Sequence, residues 1–181
     1  MARGRQVALI RGINVGRAKR VAMADLRALL EDFGYTDVRT LLNSGNVVFT
    51  TADAPAVAAA RMEKALELRV NVDARVVVLT AADLTKVIAE NPLLDVADDP
   101  SRHLVAIPLE RADLAKLKPL LEEKWGDDAL AMGACAAYLW CAGGILDSPL
   151  LKAVSRALKN ALTTRNWATM LKLQDLLAAK G

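Results

Sequence analysis

The sequence LIRGINVGRAKR, residues 9–20, joins the end of an apolar strand to a basic loop that contains two glycines. Residues 7–10 are apolar without interruption, which is typical of a buried strand. Gly12 and Gly16 allow the chain to turn, and Asn14 between them tolerates left-handed backbone geometry. The loop is neither a P-loop nor a dinucleotide-binding turn, because no Lys-Ser or Lys-Thr pair follows Gly16 and the glycines lack the Gly-x-Gly-x-x-Gly spacing. We therefore predict a strand that ends in a polar, positively charged turn.

Basic side chains are concentrated at the two ends of the sequence. Residues 1–20 contain six basic residues and no acidic one, and residues 152–181 contain six basic residues and one acidic one. The total charge is only +3, so residues 21–151 are net acidic. If folding brings the ends together, they form one positive face on an acidic body, and such a face attracts phosphate-bearing partners.

Composition narrows the class of protein. The 181 residues are 54% hydrophobic, which is enough for a substantial core. No apolar run approaches the roughly 18 residues that span a bilayer, and no signal-peptide pattern follows the first arginines, so we expect a cytoplasmic protein without a membrane partner. Cys135 and Cys141 flank a predicted strand and would lie too far apart to bridge, which predicts buried free thiols. His103 is the one histidine, so we predict no metal site and no cofactor.

The first part of the chain is predicted to alternate between strands and helices. Apolar residues at intervals of three and four indicate the helices, and β-branched runs bounded by turn residues indicate the strands. The predicted elements are a strand at 7–10, a helix at 23–33, a hairpin of strands 38–42 and 47–50, a helix from Pro55 and a strand at 75–79. This order is that of a ferredoxin-like split βαβ subdomain, assigned to residues 1–80.

The second part of the chain is predicted to repeat the first five of these elements, strand, helix, strand, strand and helix, without residue-level identity. Residues 81–101 are predicted to be a short helix and a connector rich in turn residues. Residues 102–181 are predicted to be a second ferredoxin-like subdomain with a C-terminal helix. Its predicted elements are a strand at 104–109, a helix through Leu114, Leu117 and Leu121, strands at 129–132 and 137–141, a helix capped by Ser148 and the final helix to about Ala179. The predicted class is α+β, with two such subdomains in one compact chain.

The start of the final helix contains an electrostatic conflict. Thr164 is predicted to be the N-cap, which places Arg165 and Asn166 in the first turn. An arginine at this position opposes the helix dipole, which favours anions at an N-terminus. Such local conflicts are expected at functional sites, although an acidic neighbour would also explain the arginine.

Three segments together resemble a known family: LIRGINVG (9–16), NSGNVV (43–48) and TTRNWATMLKL (163–173). They are similar to the bacterial domain-of-unknown-function 1697 family, in order and over nearly the whole chain. The resemblance implies two ferredoxin-like subdomains and no stated activity. Ala168 replaces an expected second asparagine, and Ser148-Pro149 replaces a usual serine-lysine pair. The motif positions are Arg11, Gly12, Asn14, Gly16, Ser44, Gly45, Asn46, Thr164, Arg165, Asn166 and Trp167.

Three functional hypotheses follow. The first is a binding module for a phosphate-bearing partner, either nucleic acid or nucleotide. With 4% aromatic residues the chain offers no base-stacking platform, so any nucleic-acid binding is predicted to be backbone-directed. The second is an enzyme that acts on a small anionic substrate held by Arg11 and Arg165, with Asp25 and Asp37 as the acids nearest to the motifs. The third is that the motifs are purely structural turns.

The predicted anion-binding residues come from both ends of the chain. They are Arg11, Gly12, Asn14, Gly16, Arg17, Lys19, Arg20, Arg165 and Asn166. Ser44, Gly45 and Asn46 form a second predicted cluster. We expect Arg11, Asn14, Arg165 and Asn166 to meet, and we expect the turn at 43–46 to lie at the opposite end of the first sheet.

Overall fold

The computed structural model describes residues 3–14, 20–159 and 161–179. Gly16, Arg17 and Lys19, three of the predicted site residues, lie outside this part of the chain. Within the described residues the fold is mixed α+β, with two four-stranded antiparallel sheets and six α-helices. The chain divides into two compact units, one of residues 1–84 with 172–181 and the other of residues 85–171.

The first unit contains one sheet and the helices that cover it. The sheet has the strand order β2-β3-β1-β4, and β1 pairs antiparallel with both β3 and β4. Its elements are β1 (Gly4–Arg11), α1 (Met23–Glu31), β2 (Thr36–Leu41), β3 (Asn46–Thr51), α2 (Pro55–Val70) and β4 (Arg75–Thr80).

The core of the first unit follows from the periods of its elements. Ala8 and Ile10 alternate along β1 on the face that meets Leu26 of α1 and Met62 of α2. Both helices end without proline: α1 ends at Glu31, before Gly34 with a φ of +79°, and α2 ends at Val70, before Asn71 in left-handed geometry with a φ of 54°. Left-handed residues at these positions close the last helical turn.

The second unit contains a sheet with the strand order β6-β7-β5-β8. Helix α3 begins in the first unit and ends in the second, and α6 begins in the second unit and ends in the first. The elements are α3 (Ala81–Ala89), β5 (His103–Pro108), a 3-10 helix (Arg111–Leu117), α4 (Lys118–Leu121), β6 (Ala129–Met132), β7 (Ala137–Trp140), α5 (Pro149–Ala157), β8 (Leu162–Asn166) and α6 (Trp167–Ala178).

The core of the second unit is built around Leu104, Leu139 and the inner face of α5. Ser148 caps α5 as predicted, because its Oγ accepts a hydrogen bond from Leu151 N at 3.1 Å. The apolar periods of the elements predict nine core residues. Eight of them are buried, and the ninth, Leu151, is partly buried because Leu150 takes the inward position. The buried eight are Leu9, Leu26, Leu30, Val48, Val77, Ile107, Leu117 and Leu139.

The start of α6 differs from the prediction. Thr164 is not the N-cap, because residues 162–166 form β8, which pairs with β5, and the helix begins at Trp167. Asn166 precedes the helix, and its Oδ1 accepts hydrogen bonds from Thr169 N at 2.9 Å and Thr169 Oγ1 at 2.6 Å. Arg165 therefore lies in a strand, and it does not oppose the dipole of α6.

One further prediction differs from the structure. The helix predicted through Leu114, Leu117 and Leu121 is a 3-10 helix followed by one short α-helical turn that has Pro119 near its start. Residues 172–179 group with the first unit, and the division into subdomains at 1–80, 81–101 and 102–181 stays a prediction. There the Arg5 guanidinium donates to the carbonyl oxygens of Leu177 and Ala179 at the end of α6.

Cys135 and Cys141 are buried free thiols, as predicted. No helix within the described residues has the length and apolar character that crossing a bilayer requires.

Candidate anion-binding site

The pairing of β1 with β3 brings two of the sequence motifs together. Leu9 is the register partner of Asn46, and Ile10 N donates to Gly45 O at 2.8 Å. The expectation that the turn at 43–46 lies at the opposite end of the sheet is wrong. Because the two strands are antiparallel neighbours, the end of β1 lies beside the beginning of β3.

Glycine is required at two positions of this junction. Gly45 has a φ of +75°, and a Cβ there would lie 2.8 Å from Ile10 O and 2.9 Å from Ile13 Cδ1. Gly12 has a φ of +89°, and a Cβ there would lie 3.3 Å from Asp73 O. Left-handed geometry and close backbone approach therefore both exclude larger residues, which explains the glycines without reference to a ligand.

Asn14, which follows β1, forms side-chain hydrogen bonds with Val21 and with Asn43 of the β2–β3 turn. Its φ of 55° is left-handed, a conformation that asparagine tolerates. Its Oδ1 accepts from Val21 N at 2.8 Å, and its Nδ2 donates to Val21 O at 3.0 Å and to Asn43 O at 2.9 Å. Both amide protons are therefore used within the protein, and Asn14 positions the loop and the turn instead of offering its amide N–H groups to a ligand.

Asn46 has a similar structural role in the turn. The residue is fully buried, and its Nδ2 donates to Leu41 O at 3.1 Å and to Ser44 Oγ at 2.8 Å. These bonds hold the two ends of the β2–β3 turn together. Ser44 and Asn46 thus stabilise the conformation of the turn that contains Asn43.

A cleft of about 660 Å³ lies where this junction meets the start of α1. The N-cap residue of α1 is Ala22, whose methyl group cannot accept a hydrogen bond from the first-turn N–H groups. The exposed guanidinium of Arg20 lines the cleft, and the exposed carboxylate of Asp25 lies in the first helical turn. The residues that line the cleft are Asn14, Arg20, Val21, Ala22, Met23, Asp25 and Asn43.

Arg11 lies at the end of β1 and is half-buried. Its register partner on β4 is another arginine, Arg75. Arg75 has two acidic neighbours, since Arg75 Nη1 lies 3.7 Å from Glu63 Oε2 and Arg75 Nη2 lies 4.0 Å from Asp73 Oδ1. The end of β1 is therefore a place where positive charge is partly neutralised.

Arg165 and Asn166 belong to the second unit. Arg165 Nη1 donates to Thr163 Oγ1 at 3.0 Å and to Thr164 O at 2.8 Å, and burial lowers the pKa of its guanidinium to about 10. Arg165 therefore remains charged at neutral pH. The cluster of Arg11, Asn14, Arg165 and Asn166 would span the two units and stays a prediction.

Asn43 and Asp25 line the cleft but are not among the anion-binding residues predicted from the sequence. The signal for Asn43 was present, because Asn43-Ser44-Gly45-Asn46 is turn chemistry, but its neighbour Asn14 is distant in sequence. Asp25 was identified as a first-turn acid beside the motifs. Its place in the cleft depends on the packing of α1 beside Asn14 and Asn43, which are distant in sequence.

A buried polar cluster in the second unit was also not predicted. His103 begins β5, as expected for a strand-end residue, but it is fully buried. Its ring stacks on Trp167 with a centroid distance of 5.1 Å, and its Nε2 lies 3.2 Å from Asn91 Nδ2. Among the described residues no group of histidine, cysteine or acidic side chains is arranged to hold a metal ion.

The family model described as a protein of unknown function (DUF1697) matches residues 4–138. The chain belongs to this family. The match includes the motifs around Gly12 and Gly45, so the junction described above lies within the part that is similar to other DUF1697 proteins. No curated protein matches the sequence of this DUF1697 protein.

A solved structure supports the fold of this DUF1697 protein. It is the structure of the conserved bacterial protein SP0830 from Streptococcus pneumoniae, which aligns with a TM-score of 0.79 and 24% sequence identity. The alignment covers 97% of this chain and 99% of that chain. At this identity the similarity supports a common fold and carries no information on ligands.

Proposed function

We propose that the first unit is a binding module for a phosphate-bearing anion, which it binds in the cleft at the start of α1. The observation that carries the proposal is the meeting of an α1 N-terminus whose N-cap is alanine with Arg20 in one cleft. The first N–H groups of a helix have no partners within the helix, and the helix dipole favours negative charge there. A phosphate oxygen would satisfy these groups while Arg20 supplies the opposite charge.

The proposed architecture is a pair of ferredoxin-like units. In each unit the first and third strands are the central pair of the sheet, and the order of elements is strand, helix, strand, strand, helix, strand. This arrangement places the exit of the first strand and the turn between the second and third strands at the same end of the sheet. The proposed cleft lies at that end of the first unit.

The local chemistry indicates the class of ligand. The side-chain amides of Asn14 and Asn46 donate hydrogen bonds within the protein. Few other polar side chains in the cleft can therefore recognise a base or a sugar. Low aromatic content gives no platform for stacking nucleobases. The proposed ligand is therefore recognised through its phosphate, either in a small molecule or in a nucleic-acid backbone.

Asp25 favours a second candidate function. Its carboxylate lines the same cleft as Arg20, which places a general base beside an anion-binding group. An enzyme that acts on a small anionic substrate would use this arrangement to hold the substrate beside the carboxylate. In this alternative the loss of the Asp25 carboxylate abolishes turnover, whereas in a binding module it strengthens anion binding.

Titration of the purified protein with pyrophosphate by calorimetry tests the proposal. We expect Arg20→Ala to weaken binding by about tenfold, the effect of losing one charge-assisted hydrogen bond. Arg27→Ala is the matched control, because Arg27 is an exposed arginine on α1 outside the cleft. Equal affinity of the two variants, or no heat of binding with the unaltered protein at low salt, refutes the proposal.

Fluorescence anisotropy with labelled oligonucleotides identifies the source of the phosphate. For duplex DNA the logarithm of affinity falls with the logarithm of salt concentration, with a slope of about −0.9 per phosphate neutralised. A backbone-directed module binds duplexes of different sequence equally and weakens in this way. Binding of pyrophosphate without binding of oligonucleotides assigns the site to a small phosphate-bearing molecule.

A further inference from the structure

The outer side of α5 carries a groove that is independent of the cleft in the first unit. Leu150 and Val154 point inward and are fully buried, so the opposite side of α5 faces away from the core. Beside it lies a shallow groove of about 590 Å³. It is lined by Ile145, Leu146, Leu151, Lys152, Ser155 and Arg156.

Three of the residues that line this groove are apolar. Leu146 is 90% exposed, the largest exposed fraction among the large apolar residues described as exposed. It lies in the loop before α5, and the partly buried Ile145 and Leu151 line the same groove. A leucine exposed to this extent gains from contact with another apolar side chain, because the contact removes its surface from water.

Two further residues that line the groove are positively charged. Lys152 and Arg156 are exposed and lie one turn apart on α5, and within the described residues neither forms an ion pair. Like charges at this spacing repel each other along a helix. Arg156 lies in the last turn, where it complements the helix dipole, but Lys152 has no such role. No acidic side chain lines the groove.

We propose that this groove binds an acidic amphipathic segment of a partner protein. Carboxylates of the segment would pair with Lys152 and Arg156, and its apolar side chains would cover Leu146, Ile145 and Leu151. A helix with acidic residues at i and i+4 presents carboxylates at the spacing of the two cations. Lys152 and Arg156 also line the neighbouring surface on the other side of α5, which fits an acidic partner less well because it includes Glu123.

The apolar character of the groove favours a peptide over a nucleic acid. Ile145, Leu146 and Leu151 are aliphatic and offer no ring on which a base would stack. A groove lined by aliphatic and basic side chains is complementary to the apolar and acidic faces of an amphipathic helix. Lys152 and Arg156 therefore favour an acidic partner, and the apolar side chains of the groove supply part of the affinity.

The experiment uses the full chain and a fluorescently labelled synthetic peptide of about four helical turns, or about 14 residues. The peptide has glutamates at i and i+4 and leucines along one face, and a second peptide has lysines in place of the glutamates. We expect the acidic peptide to bind and Lys152→Glu with Arg156→Glu to weaken its binding by about tenfold. The doubly substituted protein should instead bind the lysine peptide.

The matched control is the double variant Lys64→Glu with Lys172→Glu, which changes the net charge equally at two exposed lysines of the first unit. It should retain the affinity for the acidic peptide. Leu146→Ser, which leaves the charge unchanged, should weaken binding by about tenfold through loss of the apolar contact. Thermal melting followed by circular dichroism verifies that every variant is folded.

Three results overturn the proposal. The first is the absence of binding tighter than about 1 mM between the unaltered protein and the acidic peptide. The second is equal loss of affinity in the two double variants, which shows attraction to net charge alone. The third is displacement of the acidic peptide by an oligonucleotide that itself loses affinity in the Lys152→Glu, Arg156→Glu variant, which assigns the groove to nucleic acid.

Discussion

At the scale of single residues, two glycines distinguish the cost of left-handed backbone geometry from the cost of a steric clash. Gly45 and Gly34 have nearly equal φ values, +75° and +79°. A Cβ at Gly45 would lie 2.8 Å from Ile10 O, whereas a Cβ at Gly34 would have no neighbour within 4 Å. The two glycines therefore form a matched pair for measuring how tightly the β2–β3 turn packs on β1.

We predict that Gly45→Ala costs about 3 kcal/mol of unfolding free energy and Gly34→Ala about 1 kcal/mol. Both variants place an L side chain in left-handed geometry, but only the first also forces the turn away from β1. Equilibrium unfolding in urea measures the difference. Equal costs would show that the contact between the turn and β1 is not tight.

His103 provides a residue-scale prediction for pH. Asn91 Oδ1 accepts from Leu93 N at 3.0 Å, so Asn91 Nδ2 faces the ring, and His103 Nε2 must accept its proton. In a protonated His103, Nε2 would also carry a hydrogen, and this hydrogen would point at the Nδ2 donor of Asn91. Desolvation by burial also lowers the pKa of His103 from its usual value.

The sign of the pH effect follows from these contacts. Because the folded pKa lies below the unfolded value of about 6.5, the unfolded chain binds the proton more readily, and stability falls as pH drops through this value. We predict a loss of up to about 1.4 kcal/mol per pH unit below pH 6.5. His103→Gln keeps an acceptor and does not titrate, so urea unfolding at several pH values should show a flatter profile for this variant. Parallel profiles for the two proteins would contradict the prediction.

Residue identities predicted the turns, but they did not predict the roles of the residues in them. Asn14 was expected to contact an anion because it lies between two glycines in a basic loop. Its partners in the structure, Val21 and Asn43, are 7 and 29 residues away along the chain. Such partners depend on strand pairing, which local sequence does not specify.

At the scale of elements, helix α6 is fixed at its two ends by different kinds of contact. Asn166 Oδ1 accepts from Thr169 N and closes the first turn. At the other end Arg5 Nη1 donates to Ala179 O at 2.8 Å, and Arg39 Nη2 donates to the same oxygen at 3.1 Å. Arginines at a helix C-terminus satisfy the last carbonyl groups and complement the dipole.

We predict that Arg5→Met costs about 1 to 3 kcal/mol, because it removes charge-assisted hydrogen bonds to the end of α6 while keeping an apolar stem. Amide hydrogen exchange should show faster exchange over residues 172–178. Arg3→Met is the matched control, since Arg3 is exposed and its substitution should change stability by less than about 0.5 kcal/mol. Unchanged exchange in Arg5→Met would show that packing alone holds the helix.

Elements in which apolar residues recur regularly were predicted from the sequence. Elements with little apolar periodicity were not. Helix α1 was predicted because Leu26, Leu29 and Leu30 all recur on one face. Strand β8 was missed because its sequence, Leu-Thr-Thr-Arg-Asn, is mostly polar and only half-buried toward its end. It is a strand because β5 supplies the pairing partner, which is a tertiary cause.

At the scale of the whole molecule, the uneven charge of the sequence does not by itself identify the binding surface. Arg5 is engaged with the end of α6, and Arg11 lies beside Arg75 and its acidic neighbours. Of the basic residues near the first motif, Arg20 lies in the described cleft. Local geometry therefore selects which charges are available to a ligand, and net charge sets only the background field.

Asp25 and Glu31 distinguish the local effect from the background field, because both are exposed acids of α1 at opposite ends of the helix. We predict that Asp25→Asn strengthens pyrophosphate binding several-fold, since it removes a like charge from the cleft, while it destabilises α1 by about 0.3 to 1 kcal/mol through loss of a favourable dipole interaction. Glu31→Gln changes the net charge equally and should leave the affinity unchanged. Calorimetry and thermal melting measure the two quantities on the same samples. An equal gain of affinity in both variants would mean that the molecule attracts anions through its overall field and not through the cleft.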